Sequence, residues 1–161
     1  MKSFAAKKKY MQIAAVLFAL VFVASLAEPL LAQKAFLNRI RKHYLLDKAT
    51  GNCKLCHELK AREEPSKKNL NKYGLVIQSD PDMKPLLGKD DDYKYSEKEL
   101  DILEKVAIKH ENEDSDGDVV TNKEELELGS FPGDAASTPD KAKLEKYRKD
   151  HPAAAKPEEK K

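Results

Sequence analysis

The only two cysteines of this 161-residue chain stand three positions apart, and a histidine follows the second directly: Cys53-Lys54-Leu55-Cys56-His57. On a helical turn, positions i, i+3 and i+4 share one face, so both thiols and the imidazole can address one flat cofactor together. C-x-x-C-H is the attachment pattern of a c-type haem, in which both sulfurs bond the porphyrin and the histidine ligates the iron. Such a group constrains the fold strongly. The surrounding region, residues 33–93, is small enough that a core of its own would be marginal. A covalently held macrocycle would become the centre of that core, with Phe36, Ile40, Tyr44, Leu55, Leu59, Leu70, Tyr73, Val76 and Ile77 available to wrap it. The competing readings of the pair are a structural Cys-Cys pair, half of a zinc site, or a thioredoxin-like redox pair.

The first segment indicates the compartment. Met1 to Gln12 carries Lys2, Lys7, Lys8 and Lys9 with no acidic residue, and Ile13 to Ala27 is almost continuously apolar, with Ser25 and Ala27 as small residues at its end. This reads as a secretory signal peptide over 1–27, cleaved after Ala27 or, second choice, Ala32. An uncleaved anchor is the alternative, because Met11 to Ala32 is marginally long enough to span a bilayer. Either way the folded part is expected outside the cytoplasm, periplasmic or secreted, where unmodified thiols would tend to oxidise. Export also suits haem attachment, which takes place on that side of the membrane in bacteria. Losing the four leader lysines turns the formal charge from +2 to −2. The remainder is uneven: +7 over 34–79, −12 over 80–140 and +4 from 141 onward. That pattern marks separate modules or faces. It lacks the single dominant basic patch beside a recognisable motif that a nucleic-acid binder carries.

The pattern is helical throughout, with no alternating run long enough to propose a sheet. Gln33 to Leu46 spaces Phe36, Ile40 and Tyr44 four apart, leading towards the cysteine motif. Ser66 to Ile77 places Leu70, Tyr73, Val76 and Ile77 on a second stripe, broken by Gly74 and ended by the turn-forming run Ser79-Asp80-Pro81-Asp82. Ser96 with Glu99 is a capping box for a third helix, Glu97 to about His110. A short helix over Glu124 to Leu128 ends at Gly129, and Thr138-Pro139 supplies the N-cap and N1 proline of a last one. From His151 the composition of Pro, Ala, Lys and Glu reads as a disordered tail.

With these elements around its motif, the chain resembles a small mono-haem, class I-like c-type cytochrome. The resemblance is specific over residues 53–57 and loose over the remaining helices. It implies an all-α fold around one covalent haem c, and electron transfer between protein redox partners with one haem edge near the surface. Cys53 and Cys56 would hold the haem, with His57 as the proximal ligand. That family places a methionine opposite the histidine, and Met83 is the only methionine after the leader, in the Pro-flanked loop Pro81-Asp82-Met83-Lys84-Pro85. It lies closer to the motif than the family pattern has it. His43, His110 and an open iron are the other options for the sixth position. A methionine there raises the potential and suits electron transfer, whereas an open site suits small-ligand sensing or peroxide chemistry.

A second constellation runs from Asp114 to Glu125 and fits the EF-hand spacing D-x-D-x-D-x₆-E. Calcium takes six to eight oxygens, which Asp114, Asp116, Asp118, the Val120 carbonyl, Asn122 (directly or through water) and a bidentate Glu125 would supply. One position departs from the pattern. Val119 stands where the loop has a glycine with positive φ, and a β-branched residue tolerates that conformation badly; the glycine is at position 4, as Gly117. With the following Leu126-Glu127-Leu128-Gly129-Ser130-Phe131-Pro132, the segment is similar to the single aspartate-rich calcium segments of secreted bacterial proteins, related to dockerin and thrombospondin type 3 repeats, from which Val119 and Ser130 (in place of Thr) depart. The alternative is an acidic loop that caps two helices and binds nothing tightly.

The expectation is therefore an exported, all-α, mono-haem cytochrome. Its parts are a haem domain over 33–110, an EF-hand-like calcium loop over 111–134, a helix over 135–150 and a tail over 151–161. Nothing in the sequence supplies a substrate pocket or an acid–base pair, so no enzymatic role is expected. A haem-based sensor or peroxidase-like protein, and a haem-free secreted calcium-binding adaptor, are the rival readings. Membrane association is expected only if the leader is retained.

Overall fold

A computed structural model describes residues 31–152 of the chain, apart from Lys67 and residues 90–92. The leader over 1–27, its alternative as a membrane anchor, and the tail beyond residue 152 lie outside the described residues. Among those described, no helix is long and apolar enough to cross a membrane.

The architecture is all-α. The described residues form five α-helices in order: α1 (Leu31–His43), α2 (Lys72–Ser79), α3 (Glu97–Lys109), α4 (Asn122–Leu128) and α5 (Lys141–Asp150). Short 3₁₀ turns occupy Cys53–Leu55 and Pro81–Leu86. The described residues form no strand, and the one extended pairing is an isolated bridge between His57 and Leu70. Helix α1 packs on α3, α3 also meets α2 and the Pro81–Leu86 turn, and α4 lies against α5.

Local chemistry sets the boundaries. The Ser96 hydroxyl accepts from Glu99 N–H while the Glu99 carboxylate accepts from Ser96 N–H, so the capping box opens α3 where expected. Thr121 and Glu124 repeat the arrangement on α4, and Gly129, with φ +83°, closes that helix in the left-handed conformation that glycine adopts without strain. Helix α2 begins at Lys72, six residues later than the periodicity suggests. The intervening backbone serves the cysteine turn instead: Glu58 N–H donates to Asn69 O (2.8 Å) and Asn71 N–H to Cys56 O (3.0 Å). The last helix also starts later than Thr138-Pro139 implies. The Asp140 carboxylate accepts from both Ala142 and Lys143 N–H, so one charged acceptor satisfies two of the free donors at the helix start.

The core joins Ile40 and Tyr44 of α1, Leu55 of the cysteine turn, Tyr73 and Ile77 of α2, and Met83 and Leu86 of the second 3₁₀ turn. Leu103, Val106 and Ala107 of α3 complete it together with Leu126 of α4, so one core runs from the cysteine turn to the acidic loop. Met83 and Leu86 enter it because the Asp80 carboxylate accepts from Asp82 N–H and folds the Pro-flanked segment into a turn against α3.

Candidate functional site

The cysteine motif forms a single tight turn. Asn52 caps it by accepting from Lys54 N–H (2.8 Å). Cys56 N–H and His57 N–H both reach the Cys53 carbonyl, at 3.3 and 3.1 Å, which gathers the three reactive residues into one turn. Leu55 is fully buried and anchors it, with about 2 kcal/mol of apolar burial. Both cysteines are free thiols, Cys53 exposed and Cys56 half-buried against the core. Burial, reinforced by the neighbouring Cys53, pushes the Cys56 thiol up to about 12.

His57 is oriented by Asn69. The Asn69 Oδ1 accepts from Ser66 N–H (2.8 Å) and its Nδ2 donates to Glu64 O (2.9 Å), which defines the direction of the amide. His57 Nδ1 lies 3.0 Å from that same Oδ1, so Nδ1 carries the proton and donates. The lone pair is then on Nε2. This is the usual arrangement of a metal-ligating histidine, whose second nitrogen donates to a neighbouring acceptor. The buried Tyr73 hydroxyl has no hydrogen-bond partner, and after burial itself Cys56 is the largest influence raising its pKa. An unpaired polar atom in the core is costly, and a bound group with acceptor atoms would remove that cost. Both observations fit a haem at this turn.

The candidates for the opposite iron position differ in their surroundings. Met83 is buried in the same core as Leu55 and Tyr73. Exposed His43 pairs with Glu104 at 2.9 Å. His110 Nε2 lies 2.8 Å from Asp80, and its Nδ1 lies 3.0 Å from Glu113. Both histidines are thus held by carboxylates on the α3 side of the molecule.

The acidic loop brings its three aspartates together: one carboxylate oxygen from each of Asp114, Asp116 and Asp118 lies within 4.8 Å of the others. Asp114 shapes the loop by accepting from Gly117 N–H (2.7 Å) and Val119 N–H (2.9 Å). Asp118 accepts from the N–H of buried Val120 (2.8 Å). Glu125 is fully buried and raised to about 9, by burial first and then by the Asp116 and Asp118 charges. Burial and Asp118 lift Asp116 to about 6. Asp116 Oδ2, Asp118 Oδ2 and Glu125 Oε2 are buried without a partner. Buried acceptors of one charge, with lone pairs unspent, are the donor type that a hard cation takes. Asn122 is used differently: its Oδ1 accepts from Ser115 N–H and its Nδ2 donates to His110 O, so its amide closes the loop on itself. Val119 adopts φ +74° despite its β-branch, taking the left-handed conformation of the usual glycine.

Three contributors lay beyond sequence reasoning. Arg148 of α5 grips Glu124 with two hydrogen bonds (2.6 and 2.8 Å) and also donates to Val119 O (2.9 Å). Against the upward push of burial, the Arg148 bonds, with the Thr121 N–H, hold Glu124 below the ordinary glutamate range. Asn69 and Asn71 are the others; their partners in the cysteine turn are 12 to 17 residues distant, and no local pattern announces those contacts. No family model, curated protein or solved structure matches the chain.

Proposed function

We propose that the chain is an exported mono-haem c-type cytochrome that passes electrons between protein partners, with a calcium ion bracing the same fold. The observation carrying this reading is the cysteine turn itself, two free thiols with a histidine whose Nδ1 is committed to Asn69 and whose Nε2 is left as a ligand. A haem bound there supplies an iron centre that gains and loses one electron. The protein's part is to anchor that group through Cys53 and Cys56, orient His57 through Asn69, and exclude water with Leu55, Tyr73 and Met83. Exposed Cys53 beside half-buried Cys56 suits a group with one edge at the surface, where a redox partner docks. Burial of Met83, with His43 and His110 occupied by carboxylates, favours methionine as the sixth ligand and electron transfer over small-ligand chemistry. Asp114, Asp116, Asp118, Glu125 and the Val120 carbonyl are the oxygens assigned to calcium, with Asn122 holding the loop closed.

Redox titration of the purified haem protein in the presence of carbon monoxide tests this function. A reversible one-electron couple and an unchanged reduced spectrum are expected. Rapid carbon monoxide binding in the reduced form would instead assign an open sixth position and the sensor or peroxidase-like reading.

A further inference from the structure

Two consecutive residues stand between the cysteine turn and the acidic loop: Asn71 bonds the turn, and Lys72 reaches Asp116, 44 residues further on. Asn71 is buried, and its side chain donates to the carbonyls of Lys54 (3.0 Å) and Leu55 (3.1 Å), the two residues between the cysteines. Its Oδ1 caps α2 by accepting from Gly74 N–H (2.8 Å), and its own N–H donates to Cys56 O. Gly74 lies so close to that carbonyl that a Cβ there would overlap it, so α2 rests directly on the turn. Gly133, near the end of the 111–134 segment, is similarly close to the Asn71 side chain. Next along the chain, Lys72 Nζ donates to the backbone carbonyl of Asp116 at 2.6 Å, inside the acidic loop. A third tie runs from Thr50 Oγ1, just before the motif, to Gly129 O (3.3 Å) at the end of α4.

We infer that Asn71 and Lys72 couple the two sites, so that a cation bound between Asp114 and Glu125 rigidifies the turn presenting Cys53, Cys56 and His57. The inference rests on the calcium part of the proposed function. The physical route is short. Loading the loop draws Asp116, Asp118 and Glu125 together and fixes the Asp116 backbone; Lys72 then holds the first turn of α2, and Asn71 at its cap holds the carbonyls of the C-x-x-C turn. Asn71 is a positioning residue in this account. Coupling through packed, hydrogen-bonded contacts is reciprocal and typically changes an equilibrium by about 5- to 150-fold.

Amide hydrogen exchange on the full chain, with calcium or with chelator, tests it. Calcium is expected to slow exchange at Val119 and Val120 in the loop and, by about tenfold, at His57, Asn71 and Gly74. Lys72 is exposed, so Lys72→Met keeps the core intact. In that variant the loop amides still slow with calcium, whereas the effect at His57, Asn71 and Gly74 falls to less than half. Protection confined to Val119 and Val120 in the wild type would overturn the coupling, as would a Lys72→Met variant that transmits fully. An absence of protection at Val119 and Val120 would overturn calcium binding and the inference with it. Haem is scored separately by absorption, so a colourless protein that still shows calcium-dependent protection of the turn supports the coupling while removing the haem reading.

Discussion

Replacing Val119 with glycine isolates the one local conflict between sequence and geometry in the acidic loop. Val119 holds φ +74°, its side chain is 67% exposed, its N–H bonds Asp114 and its carbonyl accepts from Arg148. A left-handed β-branched residue costs about 2 kcal/mol. Glycine removes that strain and keeps both backbone hydrogen bonds. Two smaller terms oppose it: about 0.7 kcal/mol of extra unfolded-state entropy, and about 0.5 kcal/mol for the third of the valine that is buried. The net expectation is about 1 kcal/mol of stabilisation of the ordered loop, seen as a rise of about 3–6 °C in Tm with saturating calcium. If the strain is incurred only as calcium closes the loop, the same energy appears as about fivefold tighter calcium binding. Val119→Ala is the control, because alanine retains a Cβ and most of the strain. Thermal unfolding and calcium titration calorimetry of the three proteins provide the measurement. A Val119→Gly variant with neither gain, or an alanine variant with the same gain, would refute the reasoning.

Other outcomes follow from the same contacts. Asp80 is held at about 2, chiefly by its hydrogen bond from Lys109, so its contribution is full above the ordinary carboxylate range and is lost as pH falls from about 4 to 2. Asp80→Asn should therefore destabilise the protein at pH 7 by about 1–2 kcal/mol, with the exposed end of Lys109 limiting the figure, and the difference from wild type should vanish below about pH 2; unfolding curves at both ends of that range check it. Arg148→Met leaves the fully buried Glu124 without its partner and should cost about 3 kcal/mol in urea unfolding. In Met83→Ala, the cavity costs about 2–4 kcal/mol, and a sulfur-to-iron charge-transfer band in the oxidised protein should disappear.

Much of the local design could be read from residue order because its causes are local. Ser96 with Glu99, Thr121 with Glu124, and Gly129 each act within one helical turn, so the pattern and the hydrogen bonds coincide. The Asp114, Asp116 and Asp118 cluster was legible for the same reason: a 12-residue loop carries its own spacing. What escaped was long-range. The periodicity from Ser66 onward suggests a helix, but Asn69 and Asn71 have better partners in the cysteine turn, and α2 starts only at Lys72. Pro81-Asp82-Met83-Lys84-Pro85 reads as a loop, and it becomes a 3₁₀ turn with Met83 buried because Asp80 caps it and α3 covers it. Arg148 is 24 residues from Glu124, beyond the reach of any pattern of charges.

The haem claim depends on covalent attachment, and one measurement addresses it directly. The full chain is expressed with the haem-attachment machinery, and the denatured protein is assayed for absorption and mass. One haem per chain, retained after denaturation and lost in a Cys53→Ala, Cys56→Ala double variant, is the predicted result. A colourless protein whose mass corresponds to the polypeptide alone, with both thiols open to alkylation, would contradict it.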